Sequence, residues 1–355
     1  MKRIIYIFAA FLVLFSLFAC NNKAKDTENT KETTAEETTA EETTAEETTA
    51  EETTAEETTV AETTEAPVVT YPAETTAPPT YVDGLWVSYP VSSMGYTYSG
   101  LPSLGCVDFY VNDPYNGRGL SSTRYGFSYG VASGGVPHSI TVNNQATFDS
   151  WGTNALAWDN KTGEKVLYLT FDCGYKYGDL TTRMLNTLSE KNVKAAFFCT
   201  LDYLDDEPEV ITRMINEGHI VGNHTASHPD CATLSREALA KDILGVHNYM
   251  RVNYGYTPTY FRFPSGSYSQ NALELVSSVG YRSAFWSVAY ADWDPNNQQG
   301  VESAYSQVTS RLHPGAVILL HTTSPDNAEI LGRVIDYARS QGYEFRSLDQ
   351  YAYWQ

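Results

Sequence analysis

Basic side chains are scarce in this chain of 355 residues, which has 23 Lys and Arg against 43 Asp and Glu. The formal net charge of −20 argues against a nucleic-acid-binding protein, because no basic stripe is present to follow phosphates. It argues equally against a protein held at a membrane surface by charge. Apolar residues are not lacking: 42% of the chain is hydrophobic and 13% is aromatic, which is enough for a sizeable core.

Long hydrophobic runs are also absent, apart from one near the start. Two basic residues precede an apolar run from Ile4 to Ala19, which is shorter than the roughly 20 residues of a membrane-spanning helix. We therefore interpret residues 1–20 as a secretory signal peptide. Its end, Leu17-Phe-Ala-Cys20, resembles a bacterial lipobox, which makes Cys20 the candidate lipidation site. The alternative is an ordinary secreted protein with an incidental cysteine. In either case, we expect the mature protein to act outside the cytoplasm, and the lipid would anchor it to the outer face of the bacterial cell membrane.

Large apolar side chains are missing from residues 32–59, which repeat the unit Glu-Glu-Thr-Thr-Ala. Residues 21–80 carry 16 acidic and 3 basic side chains, and hence most of the net charge. Such a segment cannot offset the entropy lost on ordering, and its like charges repel one another. We predict a disordered acidic spacer over residues 21–80. It suits a tether between a membrane anchor and the cell wall, but a generic solvated linker has the same composition.

In the rest of the chain, the composition and the hydrophobic pattern change twice. Residues 81–124 are rich in Gly, Ser, Tyr and Pro, which predicts a small, irregular, β-leaning appendage. After Trp158, apolar runs typical of buried strands alternate with stretches of helical periodicity. The predicted strands are Val166–Phe171, Lys194–Thr200, Ile220–Val221, Tyr260–Phe263, Ala284–Val288 and Val317–Leu320. The predicted helices begin after the caps Asp179 and Ser235 and span about Pro208–Glu217. About seven such units predict an α/β fold, an irregular (β/α) barrel.

Polar residues follow these strands where a parallel barrel would place its chemistry, at the C-terminal strand ends. The candidates are Asp172, Cys173, His224, His228, Arg262, Ser265, Asp292, Trp293 and His321. His224 and His228 are four residues apart, a spacing that lets two imidazoles bind one metal if the segment is helical. A polar surface turn is the alternative. Taken singly, Asp172 is best explained as a helix cap and His321 as a core histidine.

The joint order of the motifs overrides those single interpretations. Thr-Phe-Asp, His-x-x-x-His, Arg-x-Pro-x-Gly, Asp-Trp and Leu-x-His-Thr follow one another over residues 160–350. Together they resemble the polysaccharide deacetylase family (carbohydrate esterase family 4). The chain looks most similar to the muramic-acid de-N-acetylases that prepare the δ-lactam of spore cortex peptidoglycan. That closer resemblance lies in Thr170-Phe-Asp-x-Gly-Tyr175, Gly222-Asn-His224-x-x-Ser-His228-Pro229, Phe285-Trp-Ser287, His313-Pro-Gly315 and Asp326-Asn-Ala328. Similar fragments upstream extend the predicted domain to residues 125–355.

The resemblance implies a role for each candidate on the base side of the site. Asp172 would be the general base, and Arg262 would hold its carboxylate in place. His224 and His228 would bind a divalent metal, with zinc expected and Co²⁺ or Mn²⁺ as alternatives. An acetamide resists hydrolysis, so a Lewis acid and an activated water fit the reaction.

On the other side, His321 would be the general acid, oriented and kept cationic by Asp292. An amine leaves only when protonated, which requires such an acid. The amide of Ser265 would contribute to the oxyanion site. Tyr175 and Trp293 would border the substrate.

Several residues depart from the family pattern. Cys173 stands where the wider family has a metal-binding Asp, so it either ligates as a thiolate, which favours zinc, or leaves a two-histidine site completed by water. Lys176 and Tyr177 replace a typical Glu-Asn. Phe263 and Ser265 replace Pro and Arg. These last changes, unlike the one at Cys173, leave the inferred reaction intact. They bear on which sugar the protein would prefer.

Cysteine is rare, with five in the chain. Setting Cys20 aside for lipid and Cys173 for metal leaves Cys106, Cys199 and Cys231. Three thiols form at most one disulfide, and the sequence does not say which pair would form it.

The sequence therefore predicts a lipid-anchored, metal-dependent N-deacetylase of peptidoglycan glycan strands, acting as a monomer on N-acetylmuramic acid. A second possibility is a deacetylase of N-acetylglucosamine or chitooligosaccharides, or an acetyl-ester hydrolase, using the same site. A third is a non-catalytic protein that binds wall glycan on the same fold.

Overall fold

A computed structural model describes residues 83–354. Cys20, the signal peptide and the acidic spacer lie outside the described residues, so these predictions stay untested. Within the described range, no helix combines the length and the apolar character needed to cross a membrane. The four cysteines of this range are all free; Cys106 is exposed, and Cys173, Cys199 and Cys231 are buried.

The described residues form short strands and amphipathic helices in alternation. The strands are β1 (Leu85–Val87), β2 (Phe109–Val111), β3 (Tyr125–Gly126), β4 (Ala155–Leu156), β5 (Val166–Cys173), β6 (Ala196–Cys199), β7 (Ile220–Asn223), β8 (Tyr260–Phe261), β9 (Ser267–Tyr268), β10 (Arg282–Ala284), β11 (Ala316–His321) and β12 (Glu344–Phe345). The helices are α1 (Ser139–Ser150), α2 (Leu180–Glu190), α3 (Leu201–Asp206), α4 (Pro208–Asn216), α5 (Arg236–Tyr254), α6 (Gln270–Ser278), α7 (Val301–Thr309) and α8 (Pro325–Ser340).

One parallel sheet organises the domain. Its strand order is β11-β5-β6-β7-β8-β10-β4, and β12 also pairs with β5. Beyond β10 the chain continues to Val288, which bridges Ile318 of β11 in parallel and brings the two ends of the sheet together. The predicted (β/α) barrel is therefore confirmed.

The pleat of the central strand separates two layers. Along β5, Leu169 and Phe171 pack with the surrounding helices, whereas Tyr168 packs in the barrel interior. Successive side chains of a strand point to opposite faces, so Thr170 and Asp172 share the interior face with Tyr168. The continuous apolar character of β5 reflects burial on both faces, and every one of its residues is buried.

Most predicted elements occur, with shifted ends. Ser235 caps α5 through its side chain, which accepts from the amide of Ala238. Asp179 precedes α2 but makes no side-chain cap hydrogen bond. β10 ends at Ala284 rather than Val288, because the chain then leaves β4 for β11: the Phe285 amide donates to Leu156, and the Ser287 amide donates to Val317.

The segment of residues 83–124 contains the antiparallel pair β1–β2, as the β-leaning composition indicates. Val87 and Phe109 of this pair pack in one core cluster with Leu239 and Ile243 of α5. Asn248 of α5 also forms hydrogen bonds with the backbone of this segment. The segment is thus attached to α5, the helix that follows the His-x-x-x-His loop.

Candidate active site

The buried pair of Asp172 and Arg262 lies in the barrel interior at the end of β5. Arg262 Nη1 donates to Asp172 Oδ1 over 2.9 Å, and the arginine side chain is fully buried. Burial alone would raise the pKa of Asp172, but the charge and the hydrogen bond of Arg262 outweigh it and hold that pKa below its usual range. Asp172 is therefore a carboxylate at neutral pH, with Oδ1 occupied and Oδ2 directed elsewhere.

His224 faces the second oxygen of that carboxylate. Its Nδ1 lies 2.9 Å from the carbonyl oxygen of Arg262, and its Nε2 lies 3.6 Å from Asp172 Oδ2. Burial lowers the pKa of His224 to about 4, so the ring is neutral at pH 7. A neutral ring that donates from Nδ1 to the carbonyl keeps a free lone pair on Nε2 beside the carboxylate.

His228 is brought to His224 by a loop rather than by a helix. The two ring centroids are 5.1 Å apart, but Thr225 and His228 have φ values of 71° and 51°. The helical turn assumed for the pair is therefore wrong, although the two rings do meet. His228 is exposed, whereas His224 is buried, so the pair spans the floor and the rim of the site.

Cys173 does not join this group. It follows Asp172 on β5 and therefore points to the opposite face of the strand. Its side chain packs in the helix-facing core together with that of Cys199, its register partner on β6. This placement removes Cys173 from the set of candidate ligands, because β5 separates its thiol from the two imidazoles.

The remaining donors fit a divalent metal by type. Two imidazoles beside a carboxylate are common zinc ligands, and the free lone pair on His224 Nε2 suits ligation. Within residues 83–354, however, no three His, Cys, Asp or Glu side chains are arranged to hold a metal ion. His224 and His228 are thus the two candidate ligands among the described residues, and further positions would fall to water or substrate.

His321 and Asp292 form a second pair on the other side of the site. His321 Nδ1 lies 2.7 Å from Asp292 Oδ1, and the backbone amide of His321 donates to Oδ2 over 2.8 Å. Burial lowers the pKa of His321, but the charge and hydrogen bond of Asp292 outweigh it and raise the pKa above its ordinary value. Because Nδ1 is engaged, Nε2 is the ring nitrogen available for proton transfer.

The rim contains the other candidates. Trp293 is 60% exposed, and its ring centroid lies 6.4 Å from that of His321. Tyr175 is half exposed on the loop after β5. Ser265 is exposed and has a φ of 52° in the short turn Pro264–Gly266.

The substituted positions fall into two groups. Phe263 is buried and stacks on Phe285 with centroids 5.7 Å apart, so it serves the core. Lys176 pairs with Glu207, and its side chain is 58% exposed. Tyr177 is exposed as well. Lys176 and Tyr177, but not Phe263, remain candidates for contact with a substrate.

Comparison with known proteins agrees with this fold. The family described as polysaccharide deacetylase matches residues 159–284. The peptidoglycan-N-acetylmuramic acid deacetylase PdaA of Bacillus subtilis is 41% identical over 189 residues, which make up 53% of this chain and 72% of that protein. The chain belongs to the polysaccharide deacetylase family.

Two further comparisons place it within this family. The solved structure of Bacillus subtilis PdaA, described as a family 4 carbohydrate esterase, has a TM-score of 0.60 and 34% identity, and the match covers 65% of this chain and 97% of that one. A peptidoglycan-N-acetylglucosamine deacetylase of Bacillus cereus is 30% identical over 256 residues, 67% of this chain and 88% of that protein. Polysaccharide deacetylases with different amino sugars in their names thus resemble this chain.

Three supporting residues of this candidate site were not singled out from the sequence. Asn327 is buried; its Nδ2 donates to Asp292 Oδ2 over 2.6 Å, and its Oδ1 accepts from Tyr290 over 2.7 Å. Thr170 accepts from Arg262 Nη2 over 2.8 Å. Asp242 binds the loop between the two histidines. Both Asn327 and Thr170 lie within recognised motifs, so proximity to a motif was the available signal; Asp242 gave none.

Proposed function

We propose that this protein is a metal-dependent N-deacetylase of peptidoglycan and that it removes the acetyl group of N-acetylmuramic acid. One observation carries the proposal: Asp172 and His321 are register partners on the adjacent parallel strands β5 and β11. Each is paired with its own buried partner of opposite charge. A base and an acid are thereby held side by side, which amide hydrolysis requires.

Asp172 acts as the general base. Its Oδ1 is held by Arg262, so Oδ2, which faces His224, takes a proton from the attacking water. A divalent metal held by His224 and His228 would supply Lewis acidity that polarises the acetyl carbonyl and acidifies the water. Arg262 keeps Asp172 ionised and positioned. The backbone amide of Ser265 is our candidate donor to the developing oxyanion.

His321 acts as the general acid. Asp292 binds the Nδ1 side and raises the pKa of His321, which favours the protonated ring. Nε2–H is then free to protonate the departing amine nitrogen, which would otherwise be too basic to leave. Trp293 beside His321, and Tyr175 on the loop after β5, supply exposed rings against which a sugar can stack.

Two relatives support different sugars. The greater identity to the N-acetylmuramic acid deacetylase favours muramic acid for this chain, and the alternative is N-acetylglucosamine in peptidoglycan or chitooligosaccharides.

We further propose that lipidation at Cys20 anchors the protein to the outer face of the cell membrane. Metabolic labelling with a fatty acid would test this, since the Cys20→Ser variant should lose the label.

The function is tested by acetate release from the purified full chain after removal of metal with a chelator. Substrates are intact peptidoglycan, peptide-stripped glycan strands and chitooligosaccharides, each with no metal or with Zn²⁺, Co²⁺ or Mn²⁺. We expect metal-dependent release from peptide-stripped strands. Comparable release from chitooligosaccharides would instead favour N-acetylglucosamine.

The Asp172→Asn variant isolates the chemistry from binding. It should bind metal and glycan yet lose activity by a factor on the order of 10²–10⁴, because the base is gone. Asp336→Asn on the exposed side of α8 is the matched control and should behave as the wild type. Turnover by the Asp172→Asn variant at the wild-type rate would refute its role as base. A folded wild type that binds glycan but releases no acetate with any metal would favour the non-catalytic alternative.

A further inference from the structure

The loop between the two candidate metal ligands has an unfavourable backbone. Thr225 lies in the left-handed region with a φ of 71°, and His228 does so with a φ of 51°. A β-branched residue in that region is a genuine outlier, which persists only when its surroundings enforce it. The placement of His228 relative to His224 therefore depends on contacts that hold the loop.

Contacts from the same stretch of chain provide part of that support. Asn223 Oδ1 accepts from the Thr225 amide over 2.8 Å, and Thr225 Oγ1 accepts from the His228 amide over 3.0 Å. Asn223 is anchored, since its Nδ2 donates to the carbonyl of Ile243 and to Tyr281 Oη. These bonds fix the two ends of the loop and leave its middle, Ala226 and Ser227, to be held by another element.

Asp242 of α5 holds that middle. Its Oδ1 accepts from the Ala226 amide over 2.7 Å and from the Ser227 amide over 3.3 Å. Its Oδ2 accepts from Ser227 Oγ over 2.6 Å. The half-buried carboxylate of Asp242 thus accepts hydrogen bonds from two consecutive loop amides and from a hydroxyl. The donors, Ala226 and Ser227, lie between His224 and His228 in the sequence.

Helix α5 lies close to this loop and is itself held by contacts with its neighbours. A methyl group at Gly245, three residues beyond Asp242, would lie 3.2 Å from Ala226 Cβ and 3.3 Å from the Tyr89 ring, so glycine allows the loop to approach α5. One turn further on, Asn248 donates to the carbonyls of Tyr89 and Val107. Asp242 therefore projects from a fixed platform.

We propose that Asp242 is a positioning residue that holds His228 against His224 for metal binding. The inference rests on the proposed function in that it takes these two histidines as the ligands. Asp242 reaches the loop backbone and does not touch the imidazoles. Its role is to keep a strained loop in its ligating shape before metal arrives, so that binding does not have to order it.

The test measures zinc affinity of the metal-free full chain in the absence of substrate, by calorimetry or competition with a chromophoric chelator. Asp242→Ala should weaken zinc binding by about 10- to 100-fold, the range seen when groups that orient ligands are removed. Asp242→Asn keeps an oxygen that can accept from the two loop amides and should bind zinc nearly as the wild type does. Lys241→Ala, an exposed neighbour on α5, is the matched control and should leave affinity unchanged.

A second readout needs no metal. Amide hydrogen exchange at Ala226 and Ser227 should become faster in Asp242→Ala and remain slow in Asp242→Asn. Ser227→Ala removes only the hydroxyl contact with Asp242 and controls for a folding defect in Asp242→Ala. It should lower the zinc affinity less than Asp242→Ala does. Wild-type zinc affinity in Asp242→Ala, or equal losses in the Asn and Ala variants, would overturn the proposal. Failure of the deacetylase function would instead appear as absent acetate release, with the order of zinc affinities unchanged.

Discussion

At the scale of single residues, Arg262 shows why the base side of the site is rigid. Its guanidinium donates to Asp172, to Thr170 Oγ1 and to the carbonyls of Ala284 and Phe285, and it lies 4.3 Å from the Phe198 ring. Lysine could not replace it, because a point charge cannot make this planar fork of contacts. The cost of burying the charge is offset by these hydrogen bonds, one of which holds Oδ1 of the Asp172 carboxylate.

His321, the proposed general acid, provides a prediction at the same scale. In Asp292→Asn, the charge that raises the pKa of His321 is lost, so that pKa falls. His321 must be protonated to act, so the alkaline limb of kcat/KM against pH should move to lower pH. Activity at pH 8 should fall by a factor on the order of 10².

The control for this experiment lies two residues away. Asp294 is exposed on the same loop, and Asp294→Asn should keep the wild-type profile. Thermal melts of both variants would show whether the buried substitution has unfolded the domain. An alkaline limb that stays in place in folded Asp292→Asn would mean that Asp292 does not set the protonation of His321.

At the scale of elements, α5 connects residues 83–124 to the site. Asn248 is fully buried; its Nδ2 donates to Tyr89 and Val107, and its Oδ1 accepts from the Val107 amide over 2.9 Å. Asn248→Ala would leave these backbone groups without their partner. We expect a loss of about 3 kcal/mol in the free energy of unfolding, measured by urea titration.

The same substitution should have a local signature. Amides around residues 89–107 should exchange faster in Asn248→Ala, because this segment loses its attachment to α5. Lys241→Ala on the exposed face of α5 is the control and should change neither quantity. A variant as stable as the wild type would show that the segment is held by its apolar contacts, through Val87 and Phe109, and not by Asn248.

At the scale of the whole molecule, four buried histidines make stability depend on pH. Burial lowers the pKa values of His219, His224, His247 and His313 to about 4 each. These rings are neutral in the folded chain but protonate near pH 6.5 when unfolded, so their contribution is complete above pH 6.5 and is lost as pH falls towards 4. His321, whose pKa is raised, works in the opposite direction.

Urea unfolding of the metal-free protein should therefore show lower stability at pH 5.0 than at pH 7.5. Each histidine should contribute about 1–2 kcal/mol to this decrease. His247→Gln removes one of the four groups and should reduce the dependence by about a quarter. A free energy of unfolding that stays constant or rises on acidification would contradict the assignment of neutral buried rings.

Some residues of the candidate site could be predicted from the sequence, and others could not. The order of the motifs located both charge pairs, since Asp172 and His321 follow apolar runs and C-terminal strand ends meet at one edge of a parallel barrel. Cys173 was not predictable, because which face of β5 a residue takes depends on the pleat and the partners of that strand. Asp242 was missed because its contacts with the loop involve backbone amides, which leave no pattern in the chain.

The sequence by itself determined the alternation of strands and helices, the parallel barrel and the residue types of the site, because hydrophobic period and motif order are local properties. The tertiary structure decided the rest. It set Cys173 against Cys199, closed the sheet through Val288 and Ile318, and built the loop of His224 and His228 with left-handed residues. Each of these depends on side chains distant in sequence, whose packing and hydrogen bonds outweigh the local preference of the backbone.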